Sequence, residues 1–200
     1  MKNHRLQCFS VAFLLSLCLA FPGLAEETNV WREQLQQRLP AYGHRNWICI
    51  VDAAYPAQTS PGVETLVTGA DQLTVVREVL AALRKAPHVK PVAVIDAELP
   101  VVAEADAPGI GVYRTGLDRL LMGTVVERTP HEAIIRDLDR AGSLVHVLVL
   151  KTNLTLPYTS VFLRLECGYW TPQAEARLRT ALVKQQVNAG APCTEVKSEK

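Results

Sequence analysis

Four short runs of this chain are apolar almost without interruption, and each is too brief to be a helix of ordinary length. They are residues 47–51 (WICIV), 91–95 (PVAVI), 144–150 (LVHVLVL) and 160–165 (SVFLRL). A strand with one wet face alternates, whereas a run apolar at every position belongs to a strand covered on both sides. Between these runs the period changes to that of a helix. Residues 71–85 place apolar side chains at 73, 76, 80 and 83 and end on Arg84-Lys85, which suits a helix C-terminus. Trp31, Leu35 and Leu39 mark a helix over 29–39 that Pro40 ends. Thr129, Pro130 and Glu132 read as the cap, first turn and N3 of a helix reaching about Arg140. Pro172 opens a last helix with Ala174, Leu178, Ala181 and Leu182 on one face. Residues 55–63 and 98–109 have loop composition, 116–121 read as a short helix and 124–127 as a brief strand. Buried strands alternating with amphipathic helices predict an α/β fold, a single domain with a central sheet flanked by helices.

Residues 1–25 stand outside that pattern. Lys2, His4 and Arg5 give a positive start, Val11 to Phe21 is apolar except for Ser16, and Gly23 and Ala25 are small residues before the pair Glu26-Glu27. This is the layout of a secretory signal peptide cleaved after Ala25. It implies an exported, periplasmic or extracellular protein with no membrane segment once the signal is gone. An uncleaved anchor is the alternative, and Cys18 is a poor lipidation site because Leu17 before it is large. The expected division is signal peptide 1–25, domain 26–170, and C-terminal helix with polar tail 171–200.

The whole chain carries 21 Lys+Arg, 20 Asp+Glu and five Cys in 200 residues. Loss of the leader removes Lys2 and Arg5 and no acid, leaving 19 basic against 20 acidic residues. Neither total gives the basic field that nucleic acid binding requires. Cys49, Cys167 and Cys193 remain, an odd number with no Cys-x-x-Cys spacing, so neither a zinc site nor a disulfide framework is expected.

In open α/β sheets, ligands bind beyond the carboxyl ends of strands. Asp52 follows the first strand, with Tyr55-Pro56 next, while His44 precedes it. The pair therefore lies at opposite ends of one short strand unless the chain folds back or a neighbouring subunit intervenes. On spacing alone, a turn cap at His44 and a loop cap at Asp52 are the simpler readings. His131 falls in the first turn of a helix, where a site residue and a solvated one are equally natural. His88 reads as surface loop, His146 as a satisfied strand histidine, and Tyr158 as an interface aromatic or a hydroxyl aimed at ligand. Asn153-Leu-Thr155 matches a glycosylation sequon that is common by chance. There is no nucleophile elbow, P-loop or H-E-x-x-H motif.

Three blocks in order carry a resemblance. L-P-A-Y-G-H-R-N-W-I-C-I-V-D-A-A-Y-P (39–56), T-P-H-E (129–132) and P-Y-T-S-V-F-L-R-L-E-C-G (157–168) resemble the opening, the mid-chain histidine segment and the closing strand of the ribose pyranase and fucose mutarotase family (RbsD/FucU). The resemblance implies an RbsD/FucU-like sheet, extended here by a C-terminal helix. It implies a monosaccharide as the small-molecule partner, with no metal and no organic cofactor. Residue by residue, His44 matches the catalytic histidine and Asp52 the aspartate that supports it or the sugar. His131 matches a ligand-side histidine, and Tyr158 the tyrosine near the sugar. Ser160 stands where the family has Asn beside that tyrosine, and Tyr55 flanks Asp52. The family forms rings of identical subunits with sites between neighbours.

The implied reaction is the interconversion of the cyclic forms of a reducing sugar by general acid–base catalysis through His44, Asp52 and Tyr158, with His131, Ser160 and Tyr55 binding. Two positions depart from the family. Asn46 replaces an Asp two residues after the histidine, and Ser160 is shorter than the usual Asn with a different donor–acceptor set. They favour the alternative, an exported monosaccharide-binding or transport-accessory protein without turnover.

Overall fold

The computed structural model describes residues 23–188, with side chains from 30 to 186. Its order is α1 (Gly23–Arg38), β1 (Trp47–Val51), β2 (Val63–Val67), α2 (Gln72–Arg84), β3 (Val89–Asp96), α3 (Ile110–Leu120), β4 (Val125–Thr129), α4 (His131–Leu144), β5 (Val147–Lys151), β6 (Val161–Cys167) and α5 (Pro172–Asn188). The six strands form one sheet in the order β2-β5-β1-β6-β3-β4. β1 runs parallel to β5 and β3 parallel to β4, but β6 is antiparallel to both β1 and β3. The α/β class and the single domain with a central, helix-flanked sheet are thus observed.

Side chains alternate across a strand, so the run WICIV feeds two cores. Ile48 and Ile50 face α1, α2 and α3, in a cluster with Trp31, Leu35, Val76, Leu80, Ile110 and Leu117. Trp47, Cys49 and Val51 face α4, where they meet Ile134, Leu138, Val149 and Phe162. All five β1 residues are buried, which is why this strand carries no polar position. The same alternation in β3 puts Ile95 with the first cluster and Val94 with the second. It therefore sends Asp96 to the α4 side of the sheet.

Several boundaries differ from the sequence reading. α1 begins at Gly23, six residues earlier than the apolar period suggested. The loop read over 55–63 ends one residue early, because Val63 opens β2; this V-E-T-L-V segment is a half-exposed edge strand beside β5, so it lacks the apolar run that marked the others. α3 starts at Ile110 rather than 116. Thr129 closes β4 and does not cap α4, whose N-cap position is Pro130. α4 runs to Leu144, so β5 begins only at Val147. His146 is exposed just before that strand and stacks on Tyr42, at 6.1 Å between centroids, instead of lying within the sheet. His88 is half-buried, its Nε2 within 3.0 Å of the Tyr42 carbonyl and 3.3 Å of the Leu39 carbonyl, and so ties the end of α1 to the start of β3.

Gly168 closes the third sequence block for a steric reason. A Cβ there would lie 2.4 Å from the Pro87 carbonyl oxygen. Beyond it, α5 is a helix as expected, but Leu178, Leu182 and Val183 on it are exposed. Residues 1–22, which hold most of the segment read as a signal peptide, and the tail from 189 with Cys193, lie outside the described residues.

Candidate functional site

β1 and β3 point the same way, and β6 enters between them from the opposite direction. The carboxyl ends of β1 and β3 therefore meet the amino end of β6. Ile50 pairs with Val161, and Val161 pairs with Ile95, so the residues just beyond these pairs converge. They are Asp52 after β1, Asp96 at the end of β3, and Tyr158, Thr159 and Ser160 leading into β6. The first turn of α4 completes the group with His131. An open cleft of about 490 Å³ lies here, lined among others by Asp52, Tyr55, His131, Glu132, Pro157 and Tyr158. That volume is within the usual range for small-molecule pockets.

Each side chain is held by a specific partner. Asp52 Oδ1 accepts the Ala54 N–H at 2.8 Å, closing a tight turn after β1. Its Oδ2 accepts the Ser160 hydroxyl at 3.2 Å. Ser160 is buried, so this hydroxyl braces Asp52 and is not itself a wall of the cleft. Tyr55 is buried against Phe162, its hydroxyl accepting from Gln58 Nε2 at 2.8 Å and its carbonyl from Lys151 Nζ at 2.8 Å. Burial pushes its phenol upward from the ordinary tyrosine value.

Tyr158 has φ of 55°, a left-handed backbone conformation that is uncommon for an aromatic residue. The next peptide fixes it there. The Thr159 carbonyl accepts from the Tyr113 hydroxyl at 2.5 Å and from the side-chain amide of Gln72. Gln72 is in turn bonded to the Tyr113 hydroxyl at 3.0 Å and to the Thr152 hydroxyl at 2.9 Å. This buried network holds the Tyr158 ring at the cleft, where it meets the His131 imidazole edge-on with 5.6 Å between centroids and 89° between planes.

His131 is anchored twice. Its backbone N–H donates to the Glu98 carboxylate, 3.1 Å from each oxygen. Its ring Nδ1 lies 3.0 Å from Asp96 Oδ1. Asp96 has no exposed surface. Desolvation raises its carboxyl above the usual aspartate value, and the bond to His131 opposes that rise.

The structure thus gathers Asp52, Tyr55, His131, Tyr158 and Ser160 at one place, and puts His44 elsewhere. His44 lies before β1, about 17 Å of strand away from the end that Asp52 follows. Its Nε2 is 3.0 Å from Glu166 Oε2, near the carboxyl end of β6. There it borders a second cleft of about 780 Å³ with Lys90, Glu166 and Trp170. The turn carrying it is built by Asn46, whose Oδ1 accepts the Gly43 N–H at 2.8 Å and whose amide donates to the His146 carbonyl at 3.1 Å. Asn46 is therefore occupied in the turn.

Asp96, Glu98, Gln72 and Tyr113 were not singled out from the sequence. A signal for Asp96 was present: V-A-V-I-D repeats the pattern of I-C-I-V-D, an apolar run ending in an aspartate. The others act through long-range contacts that no local spacing reveals.

No family model matches the chain, and no curated protein matches it. Among solved structures, the chain is similar to RbsD from Bacillus subtilis complexed with D-ribose, at 20% identity over 69% of this chain and 93% of that one, with a TM-score of 0.47. It is similar to FucU from Bifidobacterium longum at 16% identity, over 70% of this chain and 96% of that one, TM-score 0.47. The fucose mutarotase in complex with L-fucose from Streptococcus pneumoniae is 20% identical, over 69% and 93%, with a TM-score of 0.43.

Proposed function

We propose that the cleft beside Asp52, His131 and Tyr158 binds a monosaccharide and speeds the exchange of its cyclic forms. The observation that carries this reading is the convergence in one cleft of a carboxylate from the loop after β1, an imidazole from the first turn of α4 and a phenol from the segment before β6. These are the residues that the three sequence blocks single out. The chemistry fits the set. Ring opening needs a proton on the ring oxygen and loss of one from the anomeric hydroxyl, and closure needs the reverse. Carboxylate and phenol groups can also hydrogen-bond sugar hydroxyls. Positioned acid–base groups contribute about 10²–10⁴-fold.

His44 enters this scheme only from a neighbour. A ring of identical subunits, as the resemblance implies, would bring the His44 end of one subunit to the Asp52 end of the next. The leader of residues 1–25 supports placing the reaction outside the cytoplasm. The test is saturation-difference NMR on ribose and fucose with purified protein. Exchange faster than in buffer, lost in Tyr158→Phe and Asp52→Asn, supports the reading. No acceleration of any aldose tested would end it.

A second reading keeps the cleft as a binding site without turnover. The hydroxyl of Ser160 turned toward Asp52 favours it, because a residue committed to bracing offers nothing to the sugar. Calorimetric sugar binding without faster exchange would select it.

A further inference from the structure

On the reading of the cleft as a mutarotase site, we propose that His131 is an acid–base group of the reaction and that Asp96 is the positioning residue that sets its tautomer. Three observations carry this. The Nδ1 side of the imidazole is taken by Asp96 Oδ1 at 3.0 Å, so Nε2 is the nitrogen left to meet a ligand in the cleft that His131 lines. The ring is restrained, since its own backbone amide is tied to Glu98 and the Tyr158 ring packs against it in a T-shaped contact. Finally, Asp96 is wholly buried, and its Oδ2 has no hydrogen-bond partner among the described residues.

That last feature separates a working carboxylate from a packing one. A buried carboxylate with one oxygen unpartnered costs stability, and an apolar side chain would fill the position at lower cost. The ionised form can only accept, so it requires the proton on Nδ1 and leaves the Nε2 lone pair free. It would also stabilise the imidazolium that forms when Nε2 takes a proton. Asp52, Tyr55, Glu132 and Tyr158 are the other ionisable groups lining the cleft, and Glu98 bonds the His131 backbone amide.

In ring opening, Nε2 takes the proton of the anomeric hydroxyl. The C1–O1 bond becomes a carbonyl, the bond from C1 to the ring oxygen breaks with its electron pair on that oxygen, and the oxygen takes a proton from a second donor, which in this chain is the Tyr158 hydroxyl. Closure on the other face of the carbonyl returns both protons. No oxidant or reductant enters.

Nitrogen-15 NMR of the imidazoles, with His131→Gln to assign the signals, reads the tautomer without any sugar. The expected result is a proton on Nδ1 of His131 in the native protein. In Asp96→Asn, whose amide can donate to Nδ1, the proton should move to Nε2. Exchange in that variant should fall about 10²-fold or more in kcat with little change in KM, the pattern of a group that acts in the transition state. An Nε2–H tautomer in the native protein would overturn the proposal with no variant needed. Undiminished exchange in Asp96→Asn would overturn it while leaving the mutarotase reading intact. A native protein with the expected tautomer and no effect on ribose or fucose exchange would overturn both.

Discussion

Glu98 caps a helix that begins thirty-three residues later, its two carboxylate oxygens each 3.1 Å from the His131 amide nitrogen. The N-terminus of α4 thereby receives the negative charge that suits a helix start, and it comes from the loop after β3. This one contact couples the stability of α4 to the placement of the His131 ring. Glu98→Ala should lower unfolding free energy by about 1 kcal/mol, the usual value of a lost N-cap, measured by urea denaturation. Sugar exchange should fall as well, because the ring loses one of its two anchors.

The acidity of Asp96 makes a second prediction. Its carboxyl is raised in the fold by desolvation. Such a group binds more protons folded than unfolded across the raised interval, so stability falls as pH rises through it. Asp96→Asn lacks that slope. As pH rises from about 4, near the ordinary aspartate value, through the raised one, the native protein should lose stability relative to the variant. Equal slopes in parallel denaturation series would contradict this.

The distance between His44 and Asp52 makes a third. If neighbouring subunits share a site, His44→Ala and Asp52→Asn each damage a different half of it. Mixing the two inactive proteins under conditions of subunit exchange should restore part of the exchange activity at junctions that keep both native halves. Mixtures as inactive as their components would show that His44 and Asp52 do not meet in one site across subunits, and undiminished exchange in His44→Ala alone would show that His44 has no part in the reaction.

Tyr113 offers a test of the network beneath the cleft. Its hydroxyl is bonded to the Thr159 carbonyl at 2.5 Å and to Gln72 at 3.0 Å. Tyr113→Phe should cost about 1–2 kcal/mol for the buried bonds left unmade, read from the denaturation midpoint. The left-handed Tyr158 should then be less firmly held, and exchange should drop although Tyr113 does not line the cleft.

The sheet was legible because its strands lie between two helical layers and so could not hide their apolar runs. β2 escaped notice as an edge strand with half of its residues wet. α4 was legible as a helix, but its cap was not, since Thr129 and Pro130 imitate a local start signal while the acceptor is Glu98 across the chain. In the site, Asp52, His131 and Tyr158 could be named from motif blocks, and the expectation that His44 and Asp52 lie at opposite ends of β1 agrees with the geometry. Asp96 repeats the strand-end pattern of Asp52, yet its bond to His131 depends on β3 lying next to β4. That is a property of strand order, which spacing does not encode.

The position of β6 also sets when the cleft can exist. Strands β2, β5 and β1 form one half of the sheet, β3 and β4 the other, and β6 alone joins them. Asp52 belongs to the first half and Asp96 to the second, and the Tyr158–Ser160 segment arrives with the joining strand. The last strand synthesised is therefore the keystone. Until it has left the ribosome, the two halves have no shared hydrogen-bonded edge, and the cleft has no walls. A chain cut short before residue 161 would carry nearly every candidate side chain and none of their geometry.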